Sequence, residues 1–374
     1  MIPLKTIETD EPVPEQDAPS SALPRITADY FLSTILHMLV AKLDAHEDKN
    51  FDMDYRPFGL ALTADDYVQK RANYLDFVFR NHQGLFETLQ LLNDAESRSL
   101  FMSLILFRIL GHERVRLPSH TAGFWTAKRQ AQAVPPQKSP FDTRHPGLCR
   151  FAMTVDGHTY IIDCLQANIF FSFFMRQYYL ERKQVTIKPQ PGDYVVDAGS
   201  CFGDTAIAFA HSVGREGRVH TFEILDAHLE ILRHNIAQNG ELKNIVIHPV
   251  ALSDVRREGV LGTGRVNPGF SPQEFSGGER SCLLDDLVEE GKIERVDFIK
   301  MDIEGHELAA LRGAEKTIRR FRPRLAISLY HRWEDYIDIP RYIAGLDLGY
   351  KMYLENYTLV DGETILYAAA QAPA

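Results

Sequence analysis

The chain of 374 residues contains only four cysteines, Cys149, Cys164, Cys201 and Cys282. They are too few and too scattered for a disulfide framework, and no pair has the spacing of a zinc-ligand motif. A reducing compartment, the cytoplasm, is the expected setting. Long apolar runs are also missing. The longest, such as IFFSFFM at 169–175, fall far short of the ~20 residues that cross a bilayer and give way at once to Arg176 and Gln177. No membrane span is expected. The opening MIPLKTIETDEPVPEQDAPSSALP has acids and prolines where a signal peptide needs a basic start and an apolar run. Positive charge is scarce too. With 51 acidic against 41 basic side chains the net charge is −10, which opposes sequence-independent binding to phosphate backbones or anionic membranes. A small or neutral substrate is expected, and nucleic acid is not.

What is present suits a large globular core, because 45% of the residues are hydrophobic. Residues 1–25, rich in Pro, Glu, Asp and Ser, read as a disordered tail. Residues 26–147 read as a helical region followed by a linker. Phe31, Leu32, Ile35, Leu36, Leu39, Val40 and Leu43 recur at helical spacing behind a Thr27 cap. A second helix begins at Thr63. A third runs through DAESRSLFMSLILFRILG, with Asp94 as its cap, Gly111 at its end, and Leu100, Leu104 and Phe107 on its buried side. Between 112 and 147 Pro, Gly, His and Ser dominate, which predicts a long loop and a domain boundary.

From about 148 to 374 short β-branched runs alternate with helical segments, the pattern of an α/β fold with a mostly parallel sheet. The candidate strands are seven: DYVVDAG, RVHTFE, NIVIHPVAL, VDFIKMD, RPRLAISLYH, YKMYLE and ETILYA. Helices are expected at 203–213 and in AHLEILRHNIAQNG, HELAALRGAEKTIRR and WEDYIDIPRYIAGL.

The first of these strands runs into DAGSCFGD. Ligands of open α/β sheets lie beyond the carboxyl ends of the strands, and this turn occupies that place. Gly199 and Gly203 allow close backbone approach, and the next helix offers free N–H groups to an anion. The spacing is not the G-x-G-x-x-G of nicotinamide binders. Asp197 at one strand end and Glu223 at the next suit a nucleoside bearing an amino-acid arm, as in S-adenosylmethionine. The amino-acid arm would meet Asp197 by way of water and the turn amides of Gly199, Ser200 and Cys201, and Glu223 would hold both ribose hydroxyls. At the end of the third strand Ala251 and Leu252 would flank an adenine, with Ser253 or Asp254 at its edge.

"FIKMDIEGHELAALRGAEKTI", "RPRLAISLYH" and the closing "ETILYA", following "GDYVVDAGSCFGD" in that order, resemble the FkbM family of S-adenosylmethionine-dependent methyltransferases over about residues 185–370. The resemblance implies a class I (Rossmann-like) methyltransferase fold whose last strand is antiparallel, and O-methylation of sugar, glycan or other metabolite hydroxyls. It places Asp197, Gly199 and Gly203 in the cofactor turn, Glu223 at the ribose, Ser253 and Asp254 at the adenine, and Asp302, Glu304 and Gly305 in the fourth-strand motif. One departure stands out: the family turn reads Asp-x-Gly-Ala-Asn-x-Gly, and Ser200 and Cys201 replace its Ala-Asn here.

Methyl transfer to a hydroxyl needs positioning and a proton acceptor. Asp302 and Glu304 follow the fourth strand and His331 ends the fifth, so all three can face one cleft. His331, as a neutral imidazole, is the first choice of base, Glu304 the second, and Asp302 a positioning group. Activity is expected without a metal, with one alternative left open: Asp302, Glu304 and His331, together with His306, could present oxygen and nitrogen ligands to a divalent ion that lowers the pKa of the substrate hydroxyl. N-methylation, a peptide or lipid-linked acceptor, and a cofactor-binding partner protein without turnover remain as alternatives. The helical N-terminal region is the expected surface for any homo-oligomer.

Overall fold

A computed structural model describes residues 27–43, 64–112, 114–141, 147–240, 242–260 and 279–370. The expected tail at 1–25 and Thr63, the expected start of the second helix, lie outside the described residues. All seven candidate runs form strands of one sheet: β1 (Tyr194–Ala198), β2 (Arg218–Phe222), β3 (Ile245–His248), β4 (Phe298–Met301), β5 (Arg324–Ser328), β6 (Tyr350–Asn356) and β7 (Thr364–Ala370). Their spatial order is β6-β7-β5-β4-β1-β2-β3. Strands β1 to β5 pair in parallel, whereas β7 is antiparallel to both β5 and β6. The order reverses at β1 and β4, so their ends flank the switch point at which ligands of such sheets bind.

Alternation along the strands divides the core. Val196, Ile299 and Leu325 face one side, and Val195, Phe298 and Ala326 the other. Each fully buried Phe298 or Ile299 side chain contributes on the order of 1.5–3 kcal/mol. Both faces are covered by helices, which is why these strands read as nearly continuous apolar runs.

At the N-terminal end α1 (Ala28–Leu43), α2 (Ala64–Leu91) and α3 (Ala95–Leu110) form as expected. Thr27 caps the first, accepting from the Tyr30 N–H at 3.2 Å, and Asp94 the third, accepting from Ser97 at 2.8 Å. Phe31, Ile35, Leu100 and Leu104 then join Val196, Ile299 and Leu325 in one continuous core. The boundary expected near 147 therefore does not coincide with a break in the core. Arg108 fixes this docking: its side chain is 5% exposed, lies 3.0 Å from Asp361 and stacks over Tyr336 at 4.4 Å.

The stretch read as a loop contains α4 (Ala122–Ala133), capped by Thr121. Its sequence, AGFWTAKRQAQA, buries only Phe124, Ala127 and Ala131, too sparse a stripe to stand out among the neighbouring prolines. A hairpin of Cys149–Val155 and His158–Cys164 was not expected either. Its Asp156-Gly157 turn has φ of +50° and +80°, the two-residue connection that matches strand twist.

Downstream lie α5 (Asp204–Val213), α6 (Asp226–Gln238), α7 (Glu307–Arg312), α8 (Glu315–Phe321) and α9 (Asp335–Gly345). HELAALRGAEKTIRR, expected as one helix, is two. The second is started by Asp285, whose carboxylate accepts the N–H groups of Lys316 at 3.0 Å and Thr317 at 2.7 Å.

Candidate active site

The turn after β1 is held from several sides. Gly199 has φ +79°, and a Cβ there would come within 1.8 Å of the Asp302 carbonyl oxygen at the end of β4. Only glycine lets the two strand ends touch. The turn's donors are largely spent within the protein. The N–H groups of Gly199 and Ser200 reach the Phe222 carbonyl at 3.0 and 3.3 Å, and that of Gly203 reaches the Ser200 carbonyl at 2.7 Å. Cys201 donates its N–H to Glu223 at 3.0 Å. The start of α5, expected to receive an anion, carries the buried Asp204, which accepts bonds from Ser172 and Asn168.

Beyond this turn opens a cavity of 480 Å³, within the ~300–1,000 Å³ of typical small-molecule sites. Of the residues named from sequence, Gly199, Cys201, Glu223, Ala251, Ser253, Asp302 and Glu304 line it. Asp197, Ser200, Gly203, Asp254 and His331 do not. Asp197 is fully buried and accepts from the hydroxyls of Thr205 at 2.9 Å and Thr221 at 3.3 Å. Asp254 is exposed and faces Ser253 at 3.3 Å.

One end of the cavity is flanked by Glu223 and by Val250, Ala251 and Leu252. Glu223 also accepts the N–H groups of Ile224 at 2.7 Å and Leu225 at 2.9 Å, which aligns its carboxylate at the end of β2.

The other end is acidic. Asp302, Glu304 and Glu363 line it together with Tyr330. Tyr178 and Tyr330 donate to the two oxygens of Asp302 at 2.8 and 2.9 Å. Burial works against the Asp302 charge, but His331, Lys300 and the two hydroxyls outweigh it and hold its pKa below the ordinary value. Glu304 behaves oppositely: burial and repulsion from Asp302, Glu307 and Glu363 overcome the attraction of His331 and push it up to about 8. Its backbone is left-handed, at φ +56°. Glu363 is pushed up to about 7 by burial and by Asp302, against the bond it accepts from Gln177 at 2.8 Å.

His331 lies behind this wall. Its Nδ1 is 2.9 Å from the fully buried Glu307, and its Nε2 is 3.4 Å from both Asp302 and Glu304. Burial disfavours its charge, yet Glu307, Asp302 and Glu304 together push its pKa up to about 10. At neutral pH this imidazole keeps its proton. The neutral base expected at this position does not match such surroundings. Asp302, Glu307 and His331 also bring one potential metal-ligand atom each within 4.8 Å of the others. The 2.9 Å separation of Nδ1 and Glu307 is a salt-bridge distance.

Residues 197–352, which contain the turn, the cavity's strand ends and the acidic cluster, match the family model of the methyltransferase FkbM domain. This segment is similar to the methyltransferase FkbM domain over somewhat less than half of the chain. S-adenosylmethionine is the methyl donor of that family. The crystal structure of methyltransferase FkbM from Methylobacillus flagellatus KT is similar with a TM-score of 0.52 and 20% identity, over 80% of this chain and 62% of that one. The chain thus spans less than two thirds of that relative's length. An O-methyltransferase from Bacillus cereus in complex with SAH is a more distant neighbour, with a TM-score of 0.33 and 18% identity over 48% of this chain and 75% of that one. At such identities the likeness is one of fold. No match is found among curated proteins.

Four residues that matter to the site's geometry were not singled out from sequence for the contacts they make. Lys300 lies inside β4, Tyr178 follows the π-helical turn Phe170–Phe174, Tyr330 follows β5, and Glu363 begins the run into β7. The lysine in FIKMD was the legible signal, since an isolated charge inside a buried strand needs a partner. Tyr178 and Glu363 meet Asp302 only through the tertiary fold.

Proposed function

We propose that the chain is an S-adenosylmethionine-dependent O-methyltransferase acting on a hydroxyl of a sugar, glycan or related small metabolite. The reading is carried by the position of Glu304, a carboxyl with a pKa of about 8 at the acidic end of the same cavity whose other end holds Glu223 and the 250–252 shelf. Glu223 would hold the ribose hydroxyls, Ala251 and Leu252 would flank the adenine, and Ser253 would meet its edge. When bound, the cofactor supplies a sulfonium methyl group already activated for in-line displacement. The protein then has two tasks. It positions the acceptor against the strand ends, where Tyr330, Asp302 and Glu363 offer hydrogen-bond partners. It also removes the hydroxyl proton, and a carboxyl tuned close to working pH is suited to that step. His331, held protonated by Glu307, fixes the charge beside Glu304 and does not itself take the proton.

N-methylation is the second reading, favoured by the acidic groups Asp302, Glu304 and Glu363 at one end, where Asp302 is held ionised and suits an amine that binds protonated and gives up its proton before transfer. Incubation with isotopically labelled S-adenosylmethionine and panels of hydroxyl and amine acceptors, followed by mass-spectrometric fragmentation, separates the two. A labelled O-methyl product supports the first reading and a labelled N-methyl product the second. Cofactor binding without product in either panel would defeat both and favour a partner protein without turnover.

A further inference from the structure

Lys300 is 1% exposed inside the sheet, directly beneath the glycine turn. Its Nζ donates to the carbonyl oxygens of Ala198 at 3.1 Å and Gly199 at 2.7 Å, and lies 3.2 Å from Asp197. One ammonium therefore grips three consecutive residues at the end of β1. The same nitrogen sits 5.1 Å above the ring of Tyr178, whose hydroxyl donates to Asp302. Burial disfavours the charge, but Asp197 and Asp302 restore it and raise the pKa above the ordinary lysine value. A buried lysine so matched is costly to keep unless its charge is used, because an apolar residue fills a core at less desolvation cost.

We propose that Lys300 is a positioning residue that sets the cofactor turn and the acceptor carboxylate in one frame. It acts on the turn through Asp197 and the two carbonyls, and on Asp302 through Tyr178. Its three oxygen contacts fix how the peptide planes at 198–199 face the cavity, while its charge and the Tyr178 hydroxyl keep Asp302 ionised and aimed. The cofactor end and the acceptor end are then registered to each other by one side chain outside the cavity wall. This inference rests on the methyltransferase reading above.

The test uses the full chain, S-adenosylmethionine as probe, calorimetry for binding, turnover on the acceptor found in the product screen, and thermal melting. Lys300→Met keeps the length and removes the charge. It should raise the cofactor Kd by about tenfold or more, the scale of a lost charged hydrogen bond, and lower kcat as well. Asp197→Asn should reproduce the Kd change, and the double variant should be no worse than either single one, as groups acting as a unit are non-additive. Tyr178→Phe should leave Kd within about twofold while kcat falls, since only the link to Asp302 is cut. A Lys300→Met variant that merely melts earlier, with Kd and kcat unchanged, overturns the proposal. If that variant does not fold, unchanged Kd in Asp197→Asn together with unchanged kcat in Tyr178→Phe overturns it equally. Failure of the wild-type protein to bind the cofactor or transfer a methyl group would instead strike the functional reading.

Discussion

His331 Nδ1 stands 2.9 Å from a carboxylate oxygen of Glu307, a residue with no solvent exposure, and this pair decides which group beside the cavity can accept a proton. On the proposed reading His331 keeps its proton behind the wall, and Glu304 in front of it is the titrating group.

Turnover should therefore follow Glu304. A base works when ionised, and burial raises this carboxyl from the ordinary 4.5 to about 8, so kcat should climb with pH through about 8 and level off above it. Glu304→Gln should reduce kcat by about 10²–10⁴ at fixed cofactor affinity. His331→Ala removes the nearest positive charge, so the remaining limb should move to higher pH. Loss of the limb altogether in His331→Ala, with Glu304→Gln active, would return the role of base to the imidazole.

Removal of Glu223 should weaken cofactor binding by about 1.5–3 kcal/mol, the amount lost with a charged hydrogen-bonding partner. The carboxylate also receives the N–H groups of Cys201, Ile224 and Leu225, so Glu223→Gln, which keeps one acceptor oxygen, should lose less than Glu223→Ala. Calorimetry on folded variants gives the comparison. Unchanged affinity in both would remove Glu223 from the ribose.

Treatment with EDTA followed by gel filtration should leave methyl transfer intact, because His331 already stands within salt-bridge distance of Glu307 and Asp302. Activity that vanishes and returns with magnesium or manganese would make that trio a metal site and free His331 of its proton.

Arg108→Ala should destabilise the whole chain. Breaking a fully buried ion pair costs ~3–5 kcal/mol, and about 2–3 kcal/mol is expected here because Asp361 is 30% exposed. Urea unfolding followed separately by far-UV circular dichroism and tryptophan fluorescence should show one coincident transition shifted to lower urea. Two separated transitions would show that α1 to α3 fold apart from the sheet.

All seven strands were legible because a sheet covered on both faces writes itself as short, unbroken apolar and β-branched runs. The cavity residues at the strand ends, Gly199, Glu223, Ala251 and Glu304, were legible through their place after those runs. The pairing of Asp197 with Lys300 was not legible, because a strand-end acid looks the same whether it faces a ligand or a buried lysine. The sequence pattern carries no sign of Glu307 standing behind His331, since the two come from separate elements and meet only after β4 and β5 pair. The helix Ala122–Ala133 was hidden by its small buried stripe, whereas the Asp156-Gly157 hairpin did carry its turn signal and could have been found.

The junction between α2 and α3 has an effect on β6 that reaches beyond packing. Asn93 donates its N–H to the Met352 carbonyl at 2.8 Å, and Leu354 donates its own to the Ser97 hydroxyl at 2.8 Å. Strand β6 is the last in its direction, and its outer rim would otherwise offer a row of unpaired peptide groups to any passing chain. The helical connector closes that rim, so the N-terminal region acts as a guard against strand-to-strand association as well as a partner in the core.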